Sequence, residues 1–319
     1  MVAQTTRKIL ANLRQATANR LSPKNRQQIG AFLKTLQQNP IGQWYEHQSA
    51  DAYLISFPKC GRTWLRLMLG RAFVKHFHLS HPNLMQKMLE LSSLSDLHPE
   101  VPKILISHDD DPHWKKPEEL HRNKKFYQEK KIIFLVRDPK DVVVSAYFEQ
   151  KKRAAFWVNG LQKQPHLKKY RDRLKSYEGS ISEFLYEPVG SLDTILTFYQ
   201  IWEQNHHIPK EFLLVRYEDL HQQPNEELQR ILKFLGVPNV PPEIIQDAVN
   251  YSSFDNMRKM ETENKFNSLQ LSPSDKKDET SYKTRKGKVG GFVEYFNEDE
   301  IQYIDGQIRQ SLSSFFGYN

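Results

Sequence analysis

A single cysteine, Cys60, stands in a chain of 319 residues, so no intrachain disulfide can form. A chain of this length buries enough surface to fold without covalent staples. The thiol count fits a reducing compartment, and the expected location is cytoplasmic. No apolar run is long enough to cross a bilayer, and none has the form of a signal-peptide core. Mean hydropathy is −0.70, as for a water-soluble chain. The pattern G-x-x-x-x-G-K-[ST] is absent, which removes the usual phosphate-loop signature of ATP- and GTP-using enzymes. There is no internal repeat and no low-complexity segment.

Acidic residues are missing from the first 45 positions, where Arg7, Lys8, Arg14, Arg20, Lys24, Arg26 and Lys34 all occur. The net charge of +8 therefore resides mostly in this segment. Residues 1–45 read as a basic helical arm, divided near Leu21-Ser-Pro23, with the body of the chain running over 46–319. The arm has the acid-poor, arginine-bearing composition of a transit peptide, but Ser22 is its only serine. A second basic stretch runs from Lys151 to Lys175, with Asp172 alone opposing it. Such blocks bind polyanions or peripheral membrane surfaces, or are simply solvated.

The informative pattern lies in the body. Four apolar runs, Tyr53–Phe57, Lys103–Ser107, Lys131–Val136 and Phe212–Arg216, each end on a polar cluster. The clusters are Pro58-Lys-Cys-Gly-Arg-Thr63, His108-Asp-Asp-Asp111, Arg137-Asp-Pro-Lys140 and Tyr217-Glu-Asp219. Short β-rich runs bounded by breakers read as buried parallel strands. Helical patterns fall between them at 64–77, after Asp138-Pro139, at 192–206 and at 225–236. The predicted class is α/β, with a mostly parallel central sheet flanked by helices. Ligands of open α/β sheets sit beyond the carboxyl ends of the strands, so parallel neighbours would bring the four clusters to one crevice. Residues 151–190 and 259–284 are polar and irregular, the character of lids and binding loops.

Residue chemistry alone gives the clusters partial roles. Gly61 permits a tight turn, the following helix offers free N–H groups, and Lys59 adds a full positive charge, together a seat for a phosphate. Arg137 and Ser145 are spaced to reach one anion near the start of their helix. His108, at a strand end, titrates near neutrality and is the candidate general base. Asp109, Asp110 and Asp111 either orient His108, meet a cationic part of a substrate, or form a solvated turn. Consecutive carboxylates make poor joint ligands, and no metal is expected.

Phe57-Pro-Lys-Cys-Gly-Arg-Thr-Trp64 resembles the 5′-phosphosulfate loop of sulfotransferases that use 3′-phosphoadenosine 5′-phosphosulfate (PAPS). That family commonly reads Y/F-P-K-S/A-G-T/N-T-W there, so Cys60 and Arg62 are variations. Arg137-Asp-Pro-Lys-Asp-Val-Val-Val-Ser145 resembles its 3′-phosphate motif, and Arg285-Lys-Gly-Lys-Val-Gly290 its R-K-G-x-x-G segment. Tyr217-Glu-Asp219 and Ser252-Ser-Phe-Asp-Asn-Met257 are similar to adenine-side segments. The resemblance covers about residues 46–305 and implies a P-loop-like sulfotransferase fold. It implies that Lys59 bridges the leaving phosphate and the sulfuryl group, with Cys60, Gly61, Arg62 and Thr63 completing the loop. Trp64, Tyr217, Ser252 and Met257 would border adenine. Arg137, Ser145, Arg285, Lys286 and Gly287 would hold the 3′-phosphate.

The family often places its base histidine within K-T-H, whereas this chain reads Ile106-Ser-His108 and lacks the lysine two residues earlier. Sulfuryl transfer to a hydroxyl or amine is the implied reaction, on a small molecule, lipid or saccharide acceptor. Two other readings are a nucleotide-dependent phosphoryl transferase, which lacks its Walker lysine, and a non-catalytic polyanion or membrane-surface binder acting through the arm. No nucleic-acid motif is recognised in the core. The dimer segment of many cytosolic relatives is not reproduced over Val293–Gln302, which leaves the oligomeric state open.

Overall fold

The computed structural model describes residues 40–160 and 176–318. The calls on residues 1–39, and on the part of the basic stretch from 161 to 175, lie outside the described residues.

In chain order the first half contains helix α1 (Pro40–Ser49), strand β1 (Ala52–Ile55), α2 (Arg62–His76), α3 (Leu84–Leu89), β2 (Ile104–Ser107), β3 (Lys131–Val136) and α4 (Pro139–Gly160). The second half contains α5 (Ile181–Leu185), α6 (Leu192–Asn205), β4 (Glu211–Arg216), α7 (Tyr217–Gln222), α8 (Pro224–Phe234), α9 (Pro242–Tyr251), α10 (Phe254–Thr262) and α11 (Glu298–Ser311). The four strands form one parallel sheet in the order β2-β1-β3-β4. The α/β class and the four strands agree with the sequence reading.

The order explains the composition of each strand. β3 is central, and every residue from Ile132 to Val136 is fully buried, as a parallel strand covered on both faces requires. β2 lies at the edge, and three of its four residues are only half-buried. Every neighbouring pair is parallel, so all four carboxyl ends emerge on the same side.

Several boundaries differ from expectation. α2 begins at Arg62 rather than Trp64, which puts Arg62 and Thr63 in its first turn. α4 continues to Gly160, through the first ten positions of the expected irregular segment. The physical reason is Arg153, whose guanidinium binds Glu149 one turn earlier and the carbonyls of Ser272 and Ser281 across the molecule. Likewise, residues 259–262 complete α10.

α1 spans the expected arm–body boundary and is tied down at its carboxyl end. Lys103 Nζ bonds Glu46 at 2.8 Å and Ser49 Oγ at 2.7 Å, and Lys130 Nζ donates to the carbonyls of Gln48 and Ala50.

Candidate active site

The turn from β1 into α2 is built around Gly61. Its φ of 90° lies in the left-handed region, and an added Cβ would come within 2.4 Å of the Tyr217 ring. Only glycine admits both the backbone conformation and the contact. Lys59 also has positive φ, 76°, a conformation costing a side-chain-bearing residue about 1–2 kcal/mol. That turn aims its side chain across the cleft, where Nζ meets Glu149 Oε2 at 2.6 Å. Cys60 points the other way. Its thiol is fully buried, 3.4 Å from the Tyr199 hydroxyl, and burial pushes it up to about 12. The Tyr199 O–H donates to the Arg137 carbonyl at 2.8 Å, so the protonated thiol is the donor of the pair.

From the end of β3, Arg137 reaches back over the loop. It donates through Nη1 to Ser145 Oγ (3.3 Å) and the Lys59 carbonyl (3.4 Å), and through Nη2 to the Lys288 carbonyl (2.8 Å). Asp141 Oδ2 lies 3.2 Å from Nη2, and the guanidinium stacks on the Tyr217 ring at 4.4 Å. Its Nε is buried without an acceptor. Asp141 in turn accepts from the amides of Gly290 and Phe292, which pins the carboxyl-terminal basic segment onto α4.

α4 carries a polar stripe facing the cleft. Asp141, Ser145, Glu149 and Arg153 recur every fourth residue, and all four line it. The sequence reading found Ser145 and passed over its neighbours, although the spacing was legible. Glu149 gathers three cations: Lys59, Arg153 at 3.3 Å and Lys283 at 3.5 Å. Burial alone would raise its carboxyl. Lys283, Lys59 and Arg153 outweigh that and hold it well below its ordinary value. Burial pushes Lys283 down to about 7, against the pull of Glu149. Neither Glu149 nor Lys283 resembles a motif residue; helical spacing places Glu149 beside Ser145, whereas only the fold reveals Lys283.

The far wall comes from the 285–288 turn. The Arg285 guanidinium lies over the Phe148 ring at 4.2 Å and donates to the Tyr295 hydroxyl. Lys286 pairs with Glu294, and Gly287 packs against Phe254. Trp64, Tyr217 and His221 form an aromatic group at one end, with Trp64 5.6 Å from Tyr217 and 4.7 Å from His221. Ser252 and Met257 line the same end, and the Ser252 hydroxyl donates to the Ala248 carbonyl. Of the expected site residues, every one except Cys60 lines this cleft. The Cys60 side chain belongs to the core, which leaves only its backbone to serve the loop.

His108 closes the opposite end, one residue beyond β2. Its Nδ1–H donates to the Ser56 carbonyl at 2.9 Å, which leaves Nε2 as the acceptor. Nε2 receives Arg62 Nη2 at 2.6 Å. Burial, then the neighbouring Arg62 and His113, lower the His108 pKa well below its ordinary value, so the ring is neutral. Two of the three aspartates turn to other partners. Asp109 binds Tyr127 and Lys124, and Asp110 binds Lys115 and the His121 amide. His113, not singled out from sequence, lies 5.5 Å from His108 ring to ring, and burial pushes it down to about 3. Among the described residues, no group of three or more His, Cys, Asp and Glu is arranged to hold a metal ion.

The family described as "Sulfotransferase domain" matches residues 49–316. Human Sulfotransferase 2A1 is 26% identical over 274 residues, covering 82% of this chain and 84% of the relative. Cytosolic sulfotransferase 13 of Arabidopsis thaliana is 26% identical over 281 residues, covering 84% and 78%. Among solved structures, retinol dehydratase in complex with androsterone and inactive cofactor PAP aligns with a TM-score of 0.50 at 18% identity, covering 82% of this chain and 80% of its own. At that identity the likeness speaks to the fold alone.

Proposed function

The chain belongs to the sulfotransferase domain family, and from that premise we propose that it moves a sulfuryl group from PAPS to an acceptor hydroxyl, with His108 as general base. The observation that carries the reading is the position of Arg137. It ties the β1 loop, Ser145 on α4 and the 285–288 turn into one cationic pocket. Its buried Nε has no protein acceptor, which suits a site completed by an anion.

PAPS, when bound, supplies the sulfuryl group on a leaving phosphate and a second phosphate at the 3′ position. The residues fit such a molecule. Arg137, Ser145, Arg285, Lys286 and the Gly287 amide take the 3′-phosphate. Lys59 and the amides of Cys60, Gly61, Arg62 and Thr63 take the 5′ side. Trp64, Tyr217, Ser252 and Met257 border the base. Charge growing on the leaving oxygen is met by Lys59 and by N–H groups already in place, so little reorganisation is needed. His108 accepts the acceptor's proton at Nε2, the nitrogen that its bond to Ser56 leaves unprotonated. The acceptor enters from the β2 edge, beside His108. It is a hydroxylated small molecule, lipid or saccharide.

Among the described residues, no helix is long and apolar enough to cross a membrane. A role of residues 1–45 as a separate basic arm, in peripheral membrane contact, rests on their charge alone.

A screen of hydroxylated acceptors with labelled PAPS, read by the mass gain of one sulfuryl group, tests the activity. His108→Ala and Lys59→Ala should each lose most turnover, about 3–4 kcal/mol in the barrier for a deleted preorganised contact, and His108→Ala should still bind 3′,5′-bisphosphoadenosine (PAP). Parental turnover in His108→Ala sinks the base assignment. Preference for ATP-magnesium over PAP turns the reading toward phosphoryl transfer.

A further inference from the structure

Two arginines, Arg62 lining the cleft and the buried Arg66 outside its lining, are served by carboxylates only at a distance, Asp111 for Arg62 and Glu90 for Arg66. Arg62 and Arg66 stand one turn apart at the start of α2. Neither makes a salt bridge among the described residues, although Arg66 is only 4% exposed. Arg66 Nη1 donates to Gln270 Oε1 at 2.7 Å, but its Nε is buried with no acceptor. Arg62 spends Nη2 on His108, and its buried Nη1 has no acceptor. The two cations also disfavour each other, since burial and then Arg66 lower the pKa of Arg62. A guanidinium nevertheless keeps its charge at any working pH.

The rest of this end adds to the imbalance. Lys283 contributes a further cation, and His113, beside His108, has a buried Nδ1 without a partner. The carboxylate that faces the Lys283 ammonium, Glu149, is shared with Lys59 and Arg153. A buried cation left unpaired is costly, and a ligand that pairs it recovers that cost.

Direction separates this site from the cofactor pocket. The motifs for the two phosphates follow β1 and β3, whereas Arg62 extends from the β1 loop toward the edge strand β2 and ends on His108. It stands between the loop and the entering acceptor. It also occupies the lone pair of Nε2, which the acceptor hydroxyl needs.

We propose that the acceptor is an organic anion, a hydroxylated molecule bearing a carboxylate or a sulfate or phosphate ester, and that its anionic group is taken by Arg62. The proposal rests on the sulfotransferase reading. Drawing the guanidinium onto the anion frees His108 Nε2. The acceptor O–H proton then passes to Nε2, the acceptor oxygen bonds to sulfur, and the bond from sulfur to the leaving phosphate oxygen breaks. A neutral acceptor leaves Arg62 on His108 and its buried Nη1 without an acceptor, so the same residue favours one class and resists the other.

The test uses 3-hydroxybenzoate and 4-hydroxyphenylacetate beside their methyl esters. Each is measured as acceptor with PAPS and by calorimetric binding to the PAP-saturated chain. The carboxylates should exceed the esters by at least about tenfold in both measurements, the worth of one charge-assisted hydrogen bond. Arg62→Ala should bring both ratios near unity, and Arg62→Lys should restore part of the preference. Equal or better performance of the esters, or no binding and no transfer for either class, overturns the proposal. So does an Arg62→Ala chain that loses rate on both classes alike, which assigns the guanidinium to the transferring sulfuryl group. Absence of PAP binding removes the sulfotransferase reading as well, whereas PAP binding without the carboxylate preference removes only this one.

Discussion

Lys59 Nζ lies 2.6 Å from Glu149 Oε2, so the lysine of the β1 loop is held by a carboxylate three turns into α4. The same carboxylate faces Arg153 and Lys283. Replacing it with glutamine leaves three cations without their shared anion. The loss of stability should be about 3 kcal/mol, as when one partner of a buried ion pair is removed. Urea denaturation measures it. The cleft becomes more positive, so PAP should bind more tightly, and weaker PAP binding by Glu149→Gln contradicts this account.

Arg137 makes a planar, many-armed contact that lysine cannot copy. It reaches Ser145, Lys288 and Asp141 with two nitrogens while stacking on Tyr217. Arg137→Lys keeps the charge and loses the fork. PAP affinity should fall at least about tenfold, equivalent to about 1.4 kcal/mol. Unchanged affinity by calorimetry removes Arg137 from the 3′-phosphate site.

Gly61→Ala places a methyl group against Tyr217 at a left-handed φ. The strain alone is about 1–2 kcal/mol, and the clash must displace Tyr217 from beneath Arg137. Lower thermal stability and weaker PAP binding should appear together. A variant as stable as the parent with full PAP affinity contradicts the close packing of Gly61 on Tyr217.

His108 is depressed by burial first and by Arg62 second. A base whose pKa is depressed stays unprotonated down to acid pH, so the acid limb of kcat/KM should lie well below pH 6.5. Arg62→Ala should move that limb upward. The stability sign is the same for His113, pushed down to about 3. The unfolded chain binds the proton first, so folding stability falls as pH drops from about 6.5 toward about 3. His113→Gln should flatten that fall in a pH series of thermal melts.

Much of this site was legible in the chain itself. Lys59 to Trp64, Arg137 with Ser145, and Arg285 to Gly287 could be read because a helix start or a tight turn binding phosphate needs particular residues at short spacing. The three aspartates after His108 left several roles open, because adjacency in sequence does not say where side chains point; in the fold Asp109 and Asp110 turn to lysines on the following loop.

The sequence by itself determined the α/β class, the four strands and the cofactor-side motifs, because periodicity and turn chemistry are local properties. Only the tertiary structure decided which polar groups meet. Lys59 and Glu149 are 90 residues apart, Arg62 and His108 are 46, and Arg66 and Gln270 are 204. A Coulombic contact depends on distance and burial, which the chain order does not carry. The cofactor end of the cleft was therefore written in motifs. The acceptor end, where Arg62 covers His108, became visible once the β1 and β2 ends lay side by side.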